Sequence, residues 1–355
     1  MNHTRTFVPR RDTRSRAEQM LDAFFDPRDN SVRSFRECYS QLTGDRRVTG
    51  IMKDCDQESM REALDSASWS SVLGDAVNRR MLAEYNIGSR YTVWRNLTKI
   101  VGNVRDFRTQ VRVRYGGYGD LPAVSEGDPY AAFVSPTDEQ ASYAVSKRGG
   151  TETITLEMVK NDDVQAIQSI PKRLAQAAQR TVSRFVLNLL SGNAAIYDGL
   201  PLFHVNHNNL GNSALSAVAV DAGRAAMTKQ TELGSGDRLG LKPQFLWVPF
   251  DLEETGVNIF RRGSNIDRTF VQDLKLEVIP VWYWTDTNDW CLSADPNDAP
   301  TVEIAFLDGQ EEPDLVLQDS PRSGALFSND QLTWKIRHIY GGAVVDYRGI
   351  YKSVV

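Results

Sequence analysis

The chain has 355 residues, 41% of them hydrophobic, with 46 acidic against 41 basic side chains and a formal net charge of −5. That length builds one large domain or two modest lobes around a sizeable core. The acidic balance argues against a body that grips nucleic acid through a broad basic face, Cys38, Cys55 and Cys291 form no disulfide framework and fit a reducing cytosol, and no apolar run reaches membrane-spanning length.

Arg5, Arg10, Arg11, Arg14 and Arg16 open the chain with no apolar stretch behind them, so this segment is not read as a secretory signal. It reads as a solvated or subunit-bridging arm, or as an arm that touches DNA. Ala17, Met20, Leu21, Phe24 and Phe25 share one face of a short helix, which Asp26-Pro27 stops. So short a helix must dock its apolar face, and docking of Phe24 and Phe25 on a neighbouring subunit is expected. A second helix is predicted over Ser70–Tyr85, with Leu73, Val77, Met81 and Tyr85 on one side.

A long excursion follows. From Arg105 to Tyr115 the chain alternates, with Phe107, Val111, Val113 and Tyr115 on one side and Arg108, Gln110, Arg112 and Arg114 on the other. A second alternating run covers Ala141–Met158, and the loop between them is rich in Gly, Pro and acid. Loops of that length inside a compact domain are usually functional or disordered, and a lone hairpin is marginal in water. Its apolar stripe therefore needs a cover, for which another copy of the chain is the first candidate. Charge in the excursion is sorted. Asp120, Glu126, Asp128, Asp138 and Glu139 lie in the loop, which has no Lys or Arg, while Arg105, Arg108, Arg112, Arg114, Lys147 and Arg148 lie in the stems. Either this is a solvated acidic loop on a basic strand edge, or the acidic tip meets a basic patch of the next subunit, such as Lys172, Arg173, Arg180 and Arg184.

The longest helix is predicted from Ser169 or Pro171 to Leu190, with Gly192 as its stop. A helix over Val220–Gln230, a buried strand over Phe245–Phe250, and a helix opened by Asp251 and Glu254 and stopped by Gly263 come next. Strands are predicted at Leu274–Trp284, Val302–Leu307 and Leu315–Leu317. The chain closes with a hairpin, in which Leu332–Tyr340 turns at Gly341-Gly342 and returns over Ala343–Tyr351. The class is α+β.

Chemistry is thinly signalled. His204 and His207 could share a metal, which would make the chain a metal-dependent hydrolase, but the run supplies neither HExxH nor a third ligand. Removing both is expected to leave assembly and stability nearly unchanged. His338 reads as a hydrogen-bonded core residue. Gly234, Gly236 and Gly240 follow a helix and precede a strand, the reverse of a phosphate loop. No catalytic residue, metal or cofactor is expected.

Three stretches carry a resemblance: Asn161-Asp162-Asp163 with Ile170–Ala178; Asp198-Gly199-Leu200-Pro201-Leu202-Phe203; and Leu241-Lys242-Pro243-Gln244-Phe245-Leu246-Trp247-Val248-Pro249. Their order and spacing, together with the arm, the excursion and the long helix, resemble the major capsid proteins of tailed bacteriophages with the Hong Kong 97-type fold. The closer likeness is to the Mu-like head subunit and to the capsid half of protease–capsid fusions. The resemblance covers about residues 70–355. It implies an N-terminal arm (1–68), a connection (69–104), an extended loop (105–158), a peripheral domain (159–215 and 300–355) and an axial domain (216–299). It implies a shell of pentamers and hexamers around double-stranded DNA held without sequence-specific contact. The portal, a scaffold or maturation protease, and a decoration protein would be its partners. The protease would be separate or absent, because only the arm precedes the capsid-like part. The place would be the virion, and the host cytoplasm during assembly. An encapsulin-like compartment is the alternative within the same fold. Subunit contacts are expected at Arg105, Arg112, Arg114, Asp120, Glu126, Asp128, Lys147, Arg148, Phe24 and Phe25. Lys147 is the nearest candidate by position for a covalent cross-link of the kind some relatives form.

Overall fold

The computed structural model describes residues 16–29, 31–32, 34–49, 54–56, 69–87, 90–130, 132–133, 137–161, 164–261, 270–318, 324–329 and 331–355. Most of the N-terminal arginine run, Asp162, Asp163 and the expected stop at Gly263 lie outside them. The helices are α1 (Arg16–Phe25), α2 (Phe35–Thr43), α3 (Trp69–Asn86), α4 (Leu156–Lys160), α5 (Val164–Ser191), α6 (Ala217–Thr228), α7 (Glu253–Arg261), α8 (Phe270–Asp273) and α9 (Ala325–Asn329). The strands are β1 (Thr98–Val104), β2 (Gln110–Arg114), β3 (Glu139–Tyr143), β4 (Ser146–Thr155), β5 (Leu210–Gly211), β6 (Phe245–Pro249), β7 (Glu277–Val281), β8 (Trp290–Ser293), β9 (Val302–Leu307), β10 (Asp314–Gln318), β11 (Gln331–Val344) and β12 (Ile350–Ser353). Two compact units share the chain. One is drawn from Met1–Ile87, Arg148–Gln179 and Glu312–His338, the other from Gly88–Lys147, Arg180–Glu311 and Ile339–Val355.

The first unit corrects the reading of the arm. Phe24 is fully buried and Phe25 is 3% exposed, in one cluster with Phe35, Leu42, Leu73, Val77, Ile167 and Trp334. The apolar stripe of α1 docks on this chain's own α3, with Arg79 of α3 reaching Asp22 of α1 at 3.0 Å. The stripe needed a cover, as so short a helix must, and the cover is internal. Local signals place α2: the Ser34 hydroxyl caps the Glu37 N–H at 3.0 Å, and Gly44, at φ +73, takes the left-handed C-cap and returns its N–H to Ser40. α5 starts at Val164, earlier than the sequence suggests, and runs through Pro171. The proline removes one helical hydrogen bond, and the buried neighbours Ile167, Ile170 and Ala175 hold the helix across it.

In the second unit a sheet of order β5-β12-β8-β6-β7 is covered on both faces. Phe245 and Trp247 of β6 join one cluster with Val186, Leu190 and Ile350, while Leu246 and Val248 join the other with Val220, Leu292 and Trp290. A strand covered on both sides carries an unbroken apolar run rather than an alternating one, as Phe245–Pro249 does. β9 pairs β1 in parallel and β11 antiparallel. The terminal hairpin is not formed. β11 runs straight through Gly341 and Gly342, which pair with Ala305 and Ile304. A Cβ on Gly341 would collide with the Ala144 carbonyl oxygen, and one on Gly342 with that of Glu303. These glycines answer close backbone approach rather than a turn.

Candidate assembly surface

The excursion is a ribbon with a bare loop. β2 and β3 pair antiparallel, from Gln110↔Tyr143 to Arg114↔Glu139. Strand alternation sends the side chains of β2 to two faces, and the orientation is the reverse of a solvated strand. Val111 and Val113 are 54% and 39% exposed, with Phe107 and Tyr115 exposed beside them. Gln110, Arg112 and Arg114 turn inward. On β3, Ala141 and Tyr143 are buried, Tyr143 in one cluster with Val104, Val145 and Ala305. The ribbon is thus covered on one face by its own subunit, while on the open face Val111 and Val113 of β2 stand beside Ser142 and Gln140 of β3.

Arginines can face inward because each meets a carboxylate. Arg112 and the Tyr143 hydroxyl both bond Glu303 of β9. Arg114 pairs with Asp346. Arg348, 3% exposed, grips Glu139 with two bonds of 2.8 and 2.9 Å, reaches Asp346 at 3.1 Å and donates from Nε to the Thr231 carbonyl at 3.0 Å. Three cations and three carboxylates therefore balance at the loop's root, as buried charge requires. Desolvation pulls the Arg348 pKa down, but the bonds to Glu139 outweigh it and hold it above its ordinary value. Desolvation and the Glu303 bond push the Tyr143 hydroxyl upward. Arg112 and Arg114, expected at a subunit contact, are engaged inside their own chain.

Beyond this root the loop is bare. The Gly117 N–H donates to the Leu233 carbonyl at 2.9 Å, and the Glu232 carboxylate fills the space a side chain there would need. From Asp120 to Tyr130 every residue is exposed, including Leu121 at 82% and Tyr130 at 88%. Asp120, Glu126 and Asp128 are in this segment. Tyr118 and Phe133 meet edge to face at 5.6 Å, and Lys147 sits 5.4 Å from the centre of the Phe107 ring. Arg105 is exposed and Arg148 half-buried.

The histidine pair serves packing. His207 is 3% exposed; Nδ1 meets the Leu202 carbonyl at 3.0 Å and Nε2 meets Asp198 at 2.6 Å, while the ring stacks on Tyr347 at 4.0 Å. Neither ring nitrogen is left for a metal. His204 Nδ1 accepts the Asn206 N–H at 3.2 Å. Burial pushes Asp198 up, but the bonds from His207 and the Leu200 N–H outweigh it and leave the carboxyl below its usual range. Among the described residues no three His, Cys, Asp or Glu side chains gather into a metal-holding group. A cavity bounded by Tyr283, Trp284, Asp289, Cys291 and Lys352 offers no ready nucleophile. Lys352 is bound to Asp289 at 2.7 Å, and burial pushes the Cys291 thiol up to about 12.

A family model described as phage capsid protein matches residues 138–353, more than half of the chain. The chain belongs to the phage capsid protein family. Its role is therefore structural. Similar solved structures include the Cyanophage Pam1 capsid asymmetric unit, with a TM-score of 0.50 at 10% identity over 75% of this chain and 91% of that one. Another is from Mycobacterium phage Adephagia, with 0.48 at 10% identity over 75% and 90%. A third is the capsid of an empty GTA particle, with 0.46 at 12% identity over 76% and 91%. No curated protein sequence matches the chain. The α+β capsid fold expected from the sequence is the fold found.

Proposed function

We propose that this capsid protein closes with copies of itself, as pentamers and hexamers, into the icosahedral head of a tailed phage around double-stranded DNA. The observation that carries the reading is the inverted ribbon. Phe107, Val111, Val113 and Tyr115 are exposed, while Arg112 and Arg114 of β2 turn inward, half-buried against carboxylates. Large apolar side chains lined up in the open along one strand edge point to an interaction site. A loop that reaches a neighbour makes the head-to-tail contact from which rings close. The acidic tip, Asp120, Glu126 and Asp128, supplies the complement for the exposed Lys172, Arg173, Arg180 and Arg184 of the next copy. In this reading residues 216–299 form the axial domain, and residues 159–215 and 300–355 the peripheral one. Assembly takes place in the host cytoplasm, with a portal and a scaffold or protease as partners.

Replacing residues 118–138 by a short Gly-Ser turn tests it, because both anchors at Gly117 and Glu139 remain. The expected product is a folded subunit that forms no closed shells by electron microscopy. Normal shells from that variant would refute the assembly role of the loop.

A further inference from the structure

The root of the loop is built more firmly than its tip. Gly117 and Glu139 bracket the segment, and each is tied to the body of the second unit, one through Leu233 and the other through Arg348. Arg114↔Glu139 is the last rung of the ribbon before the loop opens. Arg348 bonds both the returning strand, at Glu139, and Asp346, which also holds the outgoing strand through Arg114. Its guanidinium lies 4.5 Å from the centre of the Tyr347 ring, whose other contacts include the stack with His207. The planar fork is thereby held in one orientation.

Resting on the assembly reading above, we infer that Arg348 is a positioning residue: its clasp on Glu139 and Asp346 closes the mouth of the loop and sets the direction in which the loop leaves the subunit before any neighbour is bound. A segment whose tip is exposed from Asp120 to Tyr130 cannot orient itself by its own packing. Bidentate charge-assisted bonds supply geometry as well as attachment, and preorganisation lowers the cost of association. The clasp fixes direction while leaving the apolar face of β2 uncovered for the neighbour.

Glu139→Gln is the first test. It removes the charge on the loop side and leaves Arg348 paired with Asp346. Hydrogen exchange of the purified subunit is expected to speed up at least about tenfold at the amides of residues 111–115 and 139–143, since local opening follows the loss of a charged clasp. The melting temperature should fall, because a buried guanidinium loses charge compensation, but the subunit should stay folded, and shells should form more slowly by light scattering. Arg348→Lys keeps the charge but not the two-pronged grip and should show the same local opening. Wild-type exchange in the ribbon, or wild-type assembly rates in both variants, would overturn the inference. Global unfolding of both would also overturn it, because the network would then be part of the core rather than a clasp. The loop replacement separates this claim from the one beneath it. If that variant builds normal shells, the assembly reading fails whatever Glu139→Gln does. If it builds none while Glu139→Gln behaves as wild type, only the role of Arg348 falls.

Discussion

Changing Val111 and Val113 together to Thr separates a surface kept for assembly from a surface merely left exposed. The change keeps β-branching and strand preference but replaces a methyl by a hydroxyl on the open face of β2. In the isolated subunit the two valines are 54% and 39% exposed. Exposed substitutions of this kind usually stay within about 0.5 kcal/mol, so the melting temperature should move by only about 1–2 °C. In the shell the effect is larger. Each change removes one methyl, worth about 0.8 kcal/mol when fully buried, and roughly half of each side chain remains to be covered, giving about 0.8 kcal/mol for the pair. Burying the new hydroxyls without partners adds about 1 kcal/mol or more. At a factor of ten per 1.4 kcal/mol, each contact weakens at least about 20-fold. Sedimentation velocity over a concentration series would show the threshold for shells rising by at least about tenfold. An unmoved threshold would refute the argument. So would a melting temperature lowered by more than about 5 °C, which would place the valines in the subunit's own core.

The burial of His207 overturns the expectation that losing both histidines leaves stability nearly unchanged, and the two should part company. His207→Ala is expected to cost about 2–4 kcal/mol in chemical denaturation, since it removes a buried, stacked and doubly bonded ring, whereas His204→Ala should cost well under 1 kcal/mol; equal costs would contradict the geometry. Asp198 predicts a pH dependence with a definite sign. Its folded pKa is depressed, so its contribution is complete above the unfolded value of about 3.9 and is lost as pH falls through the lower folded value. Asp198→Asn should therefore flatten the acid limb of a stability–pH curve and leave its alkaline limb unchanged.

Much of the fold was legible because its signals are local. Phe245–Pro249 is apolar throughout and is buried on both faces, and the stripe Ile170, Leu174 and Ala178 marks the long helix. Where the reading missed, the deciding partner was distant in sequence. The stripe of Phe24 and Phe25 predicted docking, but periodicity names no partner, and α3 supplied it. Gly341-Gly342 has turn composition, yet the crowding comes from Ala144 and Glu303. β1 and β8 went unread because short runs such as Trp290-Cys291-Leu292 look alike in helices and strands. The candidate surface was half legible. Alternation placed Val111 and Val113 opposite Arg112 and Arg114, but ordinary preference puts arginine outside. Only the carboxylates of Glu303, Asp346 and Glu139, from three separated parts of the chain, invert it.

That inversion takes Arg112 and Arg114 out of the charge the excursion shows to a neighbour, which gives assembly a specific salt response. Arg112 and Arg114 are neutralised at the root, so Asp120, Glu126 and Asp128 meet a neighbour as unbalanced negative charge. Changing all three to Asn keeps size and polarity and removes that charge. An exposed pair contributes only about 0–1 kcal/mol, but the contact repeats at every subunit of a shell, and small losses compound. Screening decides when the loss is felt: the Debye length is about 30 Å at 0.01 M salt and about 8 Å at physiological strength. The triple variant should therefore assemble much more slowly than wild type in dilute buffer and nearly as well in concentrated salt, where the apolar face of β2 carries the contact alone. Light scattering at a series of salt concentrations reads this directly. A defect that persists at high salt would mean the carboxylates make direct bonds rather than supply a field. Faster assembly of the variant in dilute buffer would mean that the tip meets negative charge, which would rule out the basic stripe of α5 as its landing site.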